Sequence, residues 1–366
     1  MRVVITGGGT GGHVYPGLAV AEALRRLAPD ADFLFIGGRG LESRIVPQTG
    51  IRFASVLSHP WPRRPTIRWV PAVAQLGVGT AQAVGLLLRF RPHVIVATGG
   101  YVSIPAGMAA RLLRIPLVVQ EQNAIPGATN RLLARWARAV SIPHESVARF
   151  FPGKATVTGV PVREGALGGD RGRGLRRFGL REGALTVLVL GGSLGARALN
   201  EAAVEMAGLL PAEAGVQLLH QTGLDHNVRV RERIRTTGSM PTYVVMSYID
   251  DIGDAYACAD VVICRAGAGT LAEVTAHGLP VMTVPYPFAV AGEQEANARI
   301  LEAAGAAVVI LHRDLNGRRL RDTLMELHDS SRRSAMADAS RRLGRPRAAE
   351  DVAKMVLRVA GSDDTP

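Results

Sequence analysis

The chain has 366 residues, of which 47% are hydrophobic and 5% aromatic, and its formal net charge is +12. This length allows two domains with substantial cores, and two cysteines argue against a disulfide framework and for a reducing compartment. The charge fits nucleic acid, an anionic membrane surface, or an arginine-rich composition without functional meaning. Because the arginines are spread along the chain rather than clustered with aromatic side chains, no nucleic-acid partner is expected.

The N-terminal residues predict a buried strand, a glycine turn and a helix. Residues 3–5 are β-branched, five glycines follow between positions 7 and 12, and residues 17–27 carry apolar side chains at helical spacing. This order is typical of a doubly wound α/β domain, whose helix N-terminus faces a ligand above the loop. His13, at the end of the loop, is suited to take up a proton near neutral pH.

The same N-terminal region argues against a nicotinamide-nucleotide site and against a signal peptide. The acidic residue that closes the second strand of dinucleotide-binding folds is absent, since Asp32 precedes the predicted strand at 33–36, so a nicotinamide nucleotide is not expected. A signal peptide is not expected either, because the first predicted strand begins at residue 2. The sequence therefore predicts a cytosolic protein.

Two further strand ends in the first half carry glycines or polar side chains. The predicted strand at 94–96 leads to Gly99, Gly100 and Tyr101, and the strand at 116–119 leads to Glu121 and Asn123. Open α/β sheets bind ligands at the carboxyl ends of their strands, so these residues are candidates for a site.

An uncharged stretch at residues 69–88 is about twenty residues long, which approaches the length of a membrane span. Its proline and three glycines favour a crossover helix that packs on the sheet. A membrane-facing edge at Leu86, Leu87, Leu88 and Phe90 is the alternative.

The same pattern restarts in the second half of the chain. A predicted strand at 185–190 leads into a second glycine loop, and a strand at 261–264 leads into a small-residue turn whose helix is predicted to carry Glu273 in its first turn. Residues 163–183 are rich in glycine and arginine and are interpreted as a linker. The sequence thus predicts an α/β fold with two facing Rossmann-like domains, parallel sheets and a cleft between them: domain one at 1–163, domain two at 164–345, and a terminal helix and tail at 346–366 that packs back on the first.

Three predicted helix N-termini, after Gly12, Gly195 and Gly269, present backbone N–H groups and positive dipole ends. Such an arrangement holds a departing diphosphate without a divalent metal. Glu273 is placed to accept hydrogen bonds from a ribose diol, and Gln294 and Asn297 share a helix face that suits sugar hydroxyls. Together these features predict a nucleotide-sugar site with neither a metal nor a cofactor.

Six motifs, in this order, resemble those of the MurG family of bacterial cell-wall N-acetylglucosaminyltransferases, which have the two-domain GT-B architecture. They are residues 6–13 (TGGGTGGH), 99–101 (GGY), 121–123 (EQN), 191–193 (GGS) with 195–196 (GA), 265–268 (RAGA), and Gln294 with Asn297. The resemblance runs from residue 1 to about residue 359 and rests on the combination of motifs rather than on any one loop.

The resemblance implies transfer of GlcNAc from UDP-GlcNAc to the 4-hydroxyl of MurNAc in undecaprenyl-pyrophosphoryl-MurNAc-pentapeptide (lipid I), with inversion, without a metal, giving lipid II. It implies a peripheral enzyme on the cytoplasmic face of the cell membrane. His13 is the first choice for the general base and Glu121 the second. By resemblance, the acceptor pyrophosphate lies near Gly99, Gly100 and Tyr101. The donor residues implied are Thr10, Gly11, Gly12, Asn123, Arg163, Ser193, Ile249, Arg265, Ala268, Gly269, Thr270, Leu271, Ala272, Glu273, Gln294 and Asn297.

The sequence departs from the family pattern at three places. The family usually has a bulkier residue at Gly269 and a glutamine at Leu194, and residues 288–291 replace the acidic or histidine residues often found before Gln294. The departures at Gly269 and Leu194 bear on donor contacts rather than on the reaction. The alternatives are a UDP-GlcNAc epimerase, a transferase of the same fold that acts on a soluble or natural-product acceptor, and a non-catalytic nucleic-acid-binding protein that only the charge supports.

Overall fold

The computed structural model describes residues 1–59, 69–192, 194–237 and 240–361. The chain divides into two compact units, one formed by Met1–Arg163 with Arg347–Pro366 and the other by Glu164–Pro346. Each unit contains one parallel sheet with helices around it, so the predicted α/β class with two Rossmann-like domains is confirmed.

The sheet of the first unit has seven strands in the order β3-β2-β1-β4-β5-β6-β7. The strands are β1 (Arg2–Gly7), β2 (Asp32–Gly37), β3 (Arg52–Ser55), β4 (Val94–Gly99), β5 (Leu117–Gln120), β6 (Ala139–Ile142) and β7 (Ala155–Val157). The helices are α1 (Gly11–Leu27), α2 (Glu42–Gln48), α3 (Trp69–Phe90), α4 (Ser103–Leu112) and α5 (Ala128–Leu133). The apolar runs of β1 and β4 are fully buried, as expected for central strands covered on both faces.

The sheet of the second unit has six strands in the order β10-β9-β8-β11-β12-β13. The strands are β8 (Leu185–Leu190), β9 (Val216–Gln221), β10 (Thr242–Met246), β11 (Val261–Cys264), β12 (Val281–Thr283) and β13 (Ala307–Val309). The helices are α6 (Glu164–Leu167), α7 (Arg171–Phe178), α8 (Arg197–Gly208), α9 (Asn227–Thr236), α10 (Ile252–Cys258), α11 (Ala268–Ala276), α12 (Glu293–Ala303), α13 (Gly317–Glu326) and α14 (Ser330–Leu343).

A last helix, α15 (Ala348–Gly361), returns to the first unit. Its apolar face, which includes Val352 and Val356, joins the core that α1 forms with β1. Strand order reverses between β1 and β4 in the first sheet and between β8 and β11 in the second. These reversals are the switch points at which open α/β sheets bind ligands.

The prediction that residues 163–183 form a linker is wrong, because most of this segment belongs to the second unit as α6 and α7. Arg173 forms a charge-assisted hydrogen bond of 2.6 Å with the buried carboxylate of Asp254 on α10. A methyl group at Gly174 would stand 2.3 Å from Sγ of Cys258, so glycine here allows the two helices to pack closely. The ion pair and the close packing hold a segment whose own sequence has little apolar periodicity.

Helix α3 connects β3 with β4 and packs on the sheet, as predicted for a crossover helix. Within the described residues, Ala72–Phe90 is the segment long and apolar enough to cross a membrane by length and composition alone, with a mean hydropathy of 1.3 and 22% of it buried. The alternative interpretation, a membrane-facing edge, is wrong for Leu87, which is 1% exposed in the core, whereas Leu88 is 57% exposed. Adjacent helical residues point in directions about 100° apart, which accounts for this contrast.

Candidate functional site

In the first unit, the first turn of α1 places His13 at the carboxyl edge of the sheet, directly after the glycine turn that follows β1. Its Nδ1 lies 3.1 Å from the carbonyl oxygen of Gly8 and 3.1 Å from Oγ1 of Thr10. A carbonyl oxygen only accepts hydrogen bonds, so Nδ1 carries the hydrogen and Nε2 is the nitrogen that accepts a proton. Burial lowers the pKa of His13, and the bond to Gly8 and the charge of Glu42 offset this in part. His13 is therefore neutral and basic at Nε2 at neutral pH.

Gly99 and Gly100 shape the space around this ring. Their φ angles are +105° and +79°, which disfavour any residue with a side chain. A methyl group on Gly99 would stand 2.8 Å from Cδ2 and 3.2 Å from Nε2 of His13, and one on Gly100 would stand 2.3 Å from the carbonyl oxygen of Gly8. The second glycine turn thus lies against the His13 imidazole and against the Gly8 carbonyl to which Nδ1 of His13 is hydrogen-bonded.

Glu121, the second candidate for the base, is 1% exposed and accepts four hydrogen bonds. The donors are the N–H groups of Gln122 at 2.9 Å, Asn123 at 2.8 Å and Gly127 at 3.1 Å, and Nδ2 of Asn130 at 3.0 Å. Burial raises the pKa of Glu121, and these donors lower it in part. Both oxygens are engaged in holding the loop after β5, so the geometry favours His13 over Glu121 as the base.

Asn130, on α5, is a residue of this site that the sequence did not reveal. Its Nδ2 donates to Glu121 and to the carbonyl oxygen of Gln120, and it lies 3.3 Å from where a methyl group on Gly99 would stand. Its Oδ1 is buried without a hydrogen-bond partner among the described residues. No sequence pattern marks an asparagine on a helix as part of a site, because only the fold brings Asn130 close to Gly99 and Glu121.

The other predicted residues of the first unit lie around the same edge. Thr10 and Gly12 are exposed and Gly11 is half-buried at the start of α1, and the ring of Tyr101 packs near Gly9. Arg163, the last residue of this unit's first segment, places its guanidinium 4.5 Å above the ring centre of Tyr15.

In the second unit, the candidate donor residues surround the switch point of the second sheet. The backbone N–H of Ile249 donates to Oε1 of Gln221 at 3.0 Å, and Nε2 of Gln221 donates to the carbonyl oxygen of Gly192 at 3.2 Å. Gln221 ends β9 and ties the glycine loop to the Ile249 strand end, a connection that the sequence did not reveal. Ser193, in the same loop, lies outside the described residues, and Leu194 beside it is 79% exposed.

Helix α11 begins at Ala268, so Glu273 lies in its second turn rather than in the first, as the sequence had predicted. This position weakens the explanation that the carboxylate only balances the helix dipole, which acts within the first turn. Glu273 accepts a hydrogen bond of 2.7 Å at Oε2 from the buried hydroxyl of Tyr256, and the Tyr256 ring stacks on His277 with ring centres 5.0 Å apart. Burial raises the pKa of Tyr256, so its hydroxyl stays protonated and donates.

The start of α11 is partly open. Ala268, Gly269, Thr270 and Ala272 are half-buried, whereas the side chain of Leu271 is 4% exposed and belongs to the core, so its side chain is not available to a ligand. A methyl group on Gly269 would meet nothing within 4 Å, so the bulkier residue usual in the family would find room here.

Arg265 follows β11 beside this helix start. Its Nη1 donates to the carbonyl oxygens of Val284 at 3.1 Å and Pro285 at 3.2 Å, while its Nε is buried without a partner among the described residues. Burial lowers the pKa of this guanidinium, and the ring of Tyr286 lies 5.8 Å from it. A desolvated guanidinium beside a helix N-terminus suits a phosphate group.

The two residues predicted to read sugar hydroxyls hold the loops around α11. Oε1 of Gln294 accepts from the backbone N–H of Tyr286 at 3.0 Å, and Nδ2 of Asn297 donates to the carbonyl oxygen of Ala266 at 3.3 Å. Among the described residues, no group of three or more histidine, cysteine, aspartate or glutamate side chains is placed to hold a metal ion.

Comparisons with known proteins cover both units. Residues 3–142 match the glycosyltransferase family 28 N-terminal domain, and residues 186–352 match the glycosyltransferase family 28 C-terminal domain. The UDP-N-acetylglucosamine--N-acetylmuramyl-(pentapeptide) pyrophosphoryl-undecaprenol N-acetylglucosamine transferase of Desulforudis audaxviator is 42% identical over 369 residues, which cover 99% of each chain. The enzyme of the same name from Moorella thermoacetica is 43% identical over 370 residues, which cover 99% of this chain and 100% of the relative.

A solved structure shares the fold over nearly the whole chain. The crystal structure of Acinetobacter baumannii MurG aligns with a TM-score of 0.78 and 29% identity, covering 98% of this chain and 99% of that one.

Proposed function

The chain belongs to the MurG family within glycosyltransferase family 28, and we infer that it is an N-acetylglucosaminyltransferase of peptidoglycan synthesis. It transfers GlcNAc from UDP-GlcNAc to the MurNAc unit of lipid I and produces lipid II. The observation that carries this conclusion is the near-full-length match to enzymes of that name at about 40% identity. The neutral histidine in the first unit supplies the base that the reaction needs.

The chemistry is a displacement at the anomeric carbon of GlcNAc. The 4-hydroxyl oxygen of MurNAc attacks C1 from the face opposite UDP, and its proton passes to Nε2 of His13. The C1–O bond to the diphosphate breaks, and its electron pair stays on the β-phosphate oxygen of the departing UDP. Attack on the opposite face gives inversion. Because the base is neutral before the step, His13 is a cation after it.

The second unit supports the leaving group in this proposal. Backbone N–H groups at the start of α11, with the guanidinium of Arg265, stabilise the negative charge that develops on the diphosphate. Ser193 belongs to the glycine loop that we assign to the same diphosphate. The carboxylate of Glu273, held by Tyr256 at one oxygen, accepts from the ribose diol. Since the Ile249 N–H is bonded to Gln221, we assign recognition of uracil to the Ile249 carbonyl group.

The remaining residues are assigned to contacts with the GlcNAc unit of the donor and with the acceptor. Gln294, Asn297 and Asn123 are assigned to GlcNAc, and residues 10–12 are assigned to the donor as well. Gly99, Gly100 and Tyr101 are assigned to the acceptor pyrophosphate, in addition to the contact that the two glycines make with His13. Arg163 is assigned to the donor side at the junction of the units.

We propose that the enzyme attaches peripherally to the anionic cytoplasmic face of the cell membrane. Helix α3 exposes the apolar side chains of Val73 at 54%, Val78 at 51% and Leu88 at 57%, and the end of α4 exposes Leu112 at 67%. We call these four residues the apolar patch. Ala83 and Leu87 of the same helix pack in the core, so attachment without crossing is the arrangement that keeps the fold intact.

Arginines flank the apolar patch at the ends of both helices. Arg91 follows α3 with a φ of +52°, and Arg114 follows α4 with a φ of +57°. Glycine is favoured in this backbone conformation, and a residue with a side chain costs about 1 kcal/mol there. Arginine at both positions, next to Arg89 and Arg111, supports electrostatic attraction to acidic lipid headgroups.

The test of the function separates it from its alternatives. We would supply UDP-GlcNAc alone, with soluble sugar acceptors, and with a short-chain lipid I analogue, and measure UDP release and the sugar of the recovered donor. UDP release with the lipid analogue alone is expected. An epimerised donor sugar would favour an epimerase, and release with soluble acceptors would favour a transferase of another specificity. Salt-sensitive binding to duplex DNA without sugar-nucleotide binding would favour the nucleic-acid alternative.

A further inference from the structure

Glu42 is a buried carboxylate beneath the first glycine loop. It begins α2 and is 1% exposed. Its Oε2 accepts the N–H of Gly9 at 3.1 Å, and its Oε1 accepts the N–H of Gly38 at 2.9 Å. No lysine, arginine or histidine of the described residues forms an ion pair with it. A buried carboxylate without a cationic partner costs free energy, which suggests a role besides packing.

Three glycines allow this carboxylate to approach the backbone. A methyl group on Gly8 would stand 2.6 Å from Oε1, and methyl groups on Gly38 and Gly40 would each stand 3.0 Å from one of the carboxylate oxygens. The end of β1 and the end of β2 therefore both lack side chains where Glu42 lies. The glycine turns after β1 and after β2 thus leave the space that the Glu42 carboxylate occupies.

One peptide group connects Glu42 with His13. The carbonyl of Gly8 accepts from Nδ1 of His13, and the N–H of the same peptide group, which belongs to Gly9, donates to Glu42. Hydrogen bonds on both sides of a peptide group polarise it and strengthen one another. A negative charge at one end thus favours positive charge on the imidazole at the other.

We propose that Glu42 is a positioning residue for the base: through the Gly8–Gly9 peptide it fixes the Nδ1–H tautomer of His13 and stabilises the imidazolium that forms during transfer. This inference rests on the proposed function, in which Nε2 of His13 takes the acceptor proton. Other titratable groups on the elements around His13 are Tyr15 on α1, Tyr101 after β4 and Glu121 after β5. The charge of Glu42 is the one whose attraction raises the pKa of His13.

Glu42→Gln in the full chain tests the proposal because it removes the charge and nearly keeps the shape. We expect the imidazole pKa of His13, followed by NMR and assigned with a His13 variant, to fall relative to the parent. We expect kcat to fall about 10- to 100-fold with KM for UDP-GlcNAc unchanged, by analogy with the loss seen when a partner that orients a metal-ligating histidine is removed. Glu145→Gln, at an exposed position of the same unit, is the matched control and leaves both quantities unchanged.

Glu42→Asp keeps the charge and is the comparison that separates loss of the charge from disturbance of the packing. It is expected to retain a His13 titration closer to the parent than Glu42→Gln does. A parental His13 pKa in folded Glu42→Gln, or equal shifts in both variants, would overturn the proposal. The titration needs no substrate, so an inactive parent enzyme would overturn the proposed function and leave this test intact.

Discussion

The imidazole of His13 lies against the backbone of Gly99, so closely that a methyl group on Gly99 would stand 2.8 Å from Cδ2 of the ring. Gly99 and Gly100 hold positive φ angles that make this approach possible. The end of β4 and the start of α1 therefore meet around an imidazole that is hydrogen-bonded to the carbonyl oxygen of Gly8 and that we propose as the base.

Replacement of His13 by alanine removes the base but leaves the second unit untouched. We expect kcat to fall about 10²- to 10⁴-fold, the usual contribution of general base catalysis, with the affinity for UDP unchanged. Because the base must be neutral, kcat/KM of the parent falls as the pH drops through the His13 pKa, which burial places below the ordinary 6.5. Titration calorimetry with UDP and a pH profile of kcat/KM measure these effects.

Glu121→Gln supplies the comparison for that experiment. Its four hydrogen bonds hold the loop after β5, so we expect Glu121→Gln to lose about 2–3 kcal/mol of unfolding free energy and some activity. The fall of kcat/KM at low pH, which is the acidic limb of the pH profile, should still be present in this variant. Loss of the acidic limb in Glu121→Gln, together with its persistence in His13→Ala, would show that Glu121 is the base.

Gly100→Ala tests the contact between the second glycine turn and the carbonyl that orients His13. The new methyl group would stand 2.3 Å from the oxygen of Gly8, and a displacement of the base of this kind costs about 100-fold in kcat. Gly153→Ala is the matched control, because Gly153 has a similar φ of +70° and open space around it. Gly153→Ala loses about 1 kcal/mol of stability from backbone strain, and Gly100→Ala loses more because its methyl group also meets the Gly8 carbonyl. Equal activity of the two would contradict the predicted role of this contact.

Tyr256→Phe removes the hydroxyl that holds one oxygen of Glu273. A hydrogen bond to a charged group contributes about 1.5–3 kcal/mol, so we expect UDP to bind about tenfold more weakly. Binding of 2′,3′-dideoxy-UDP should change little, because it lacks the diol. Tyr243→Phe is the control, since Tyr243 is hydrogen-bonded to buried His220 at 2.8 Å in the same unit. Equal weakening of UDP and its dideoxy analogue would exclude the ribose assignment.

Leu88→Glu combined with Leu112→Glu tests the apolar patch. We expect at least about tenfold weaker sedimentation with vesicles that contain phosphatidylglycerol, and unchanged activity on a soluble acceptor analogue. Leu87→Glu is instead expected to lose more than about 3 kcal/mol of stability, because Leu87 lies in the core. Unchanged vesicle binding by the double variant would rule out this surface.

The sequence was sufficient for the fold class because its signals are local. Buried β-branched runs, glycine turns and helical apolar spacing occur in the order that a parallel α/β sheet requires, as at β1 and α1. His13 was found for the same reason, since it stands inside such a turn. The α7 segment was missed because Asp254, its main partner, lies 81 residues away.

The roles of Glu42, Asn130 and Gln221 were also out of reach of local patterns. A glutamate in the first turn of a helix is ordinarily explained by the helix dipole, and the meeting of Glu42 with Gly8 depends on the pairing of β1 with β2. Leu87 and Leu88 look alike in sequence, and only the packed sheet separates the core residue from the exposed one.

The most direct test of the central claim is product analysis of a reaction with labelled UDP-GlcNAc, a short-chain lipid I analogue and EDTA. Mass spectrometry and NMR of the lipid product are predicted to show one added GlcNAc, joined by a β linkage to the 4-hydroxyl of MurNAc, in the presence of the chelator. An α linkage, another acceptor hydroxyl, or no disaccharide lipid while UDP-GlcNAc binds would contradict the account.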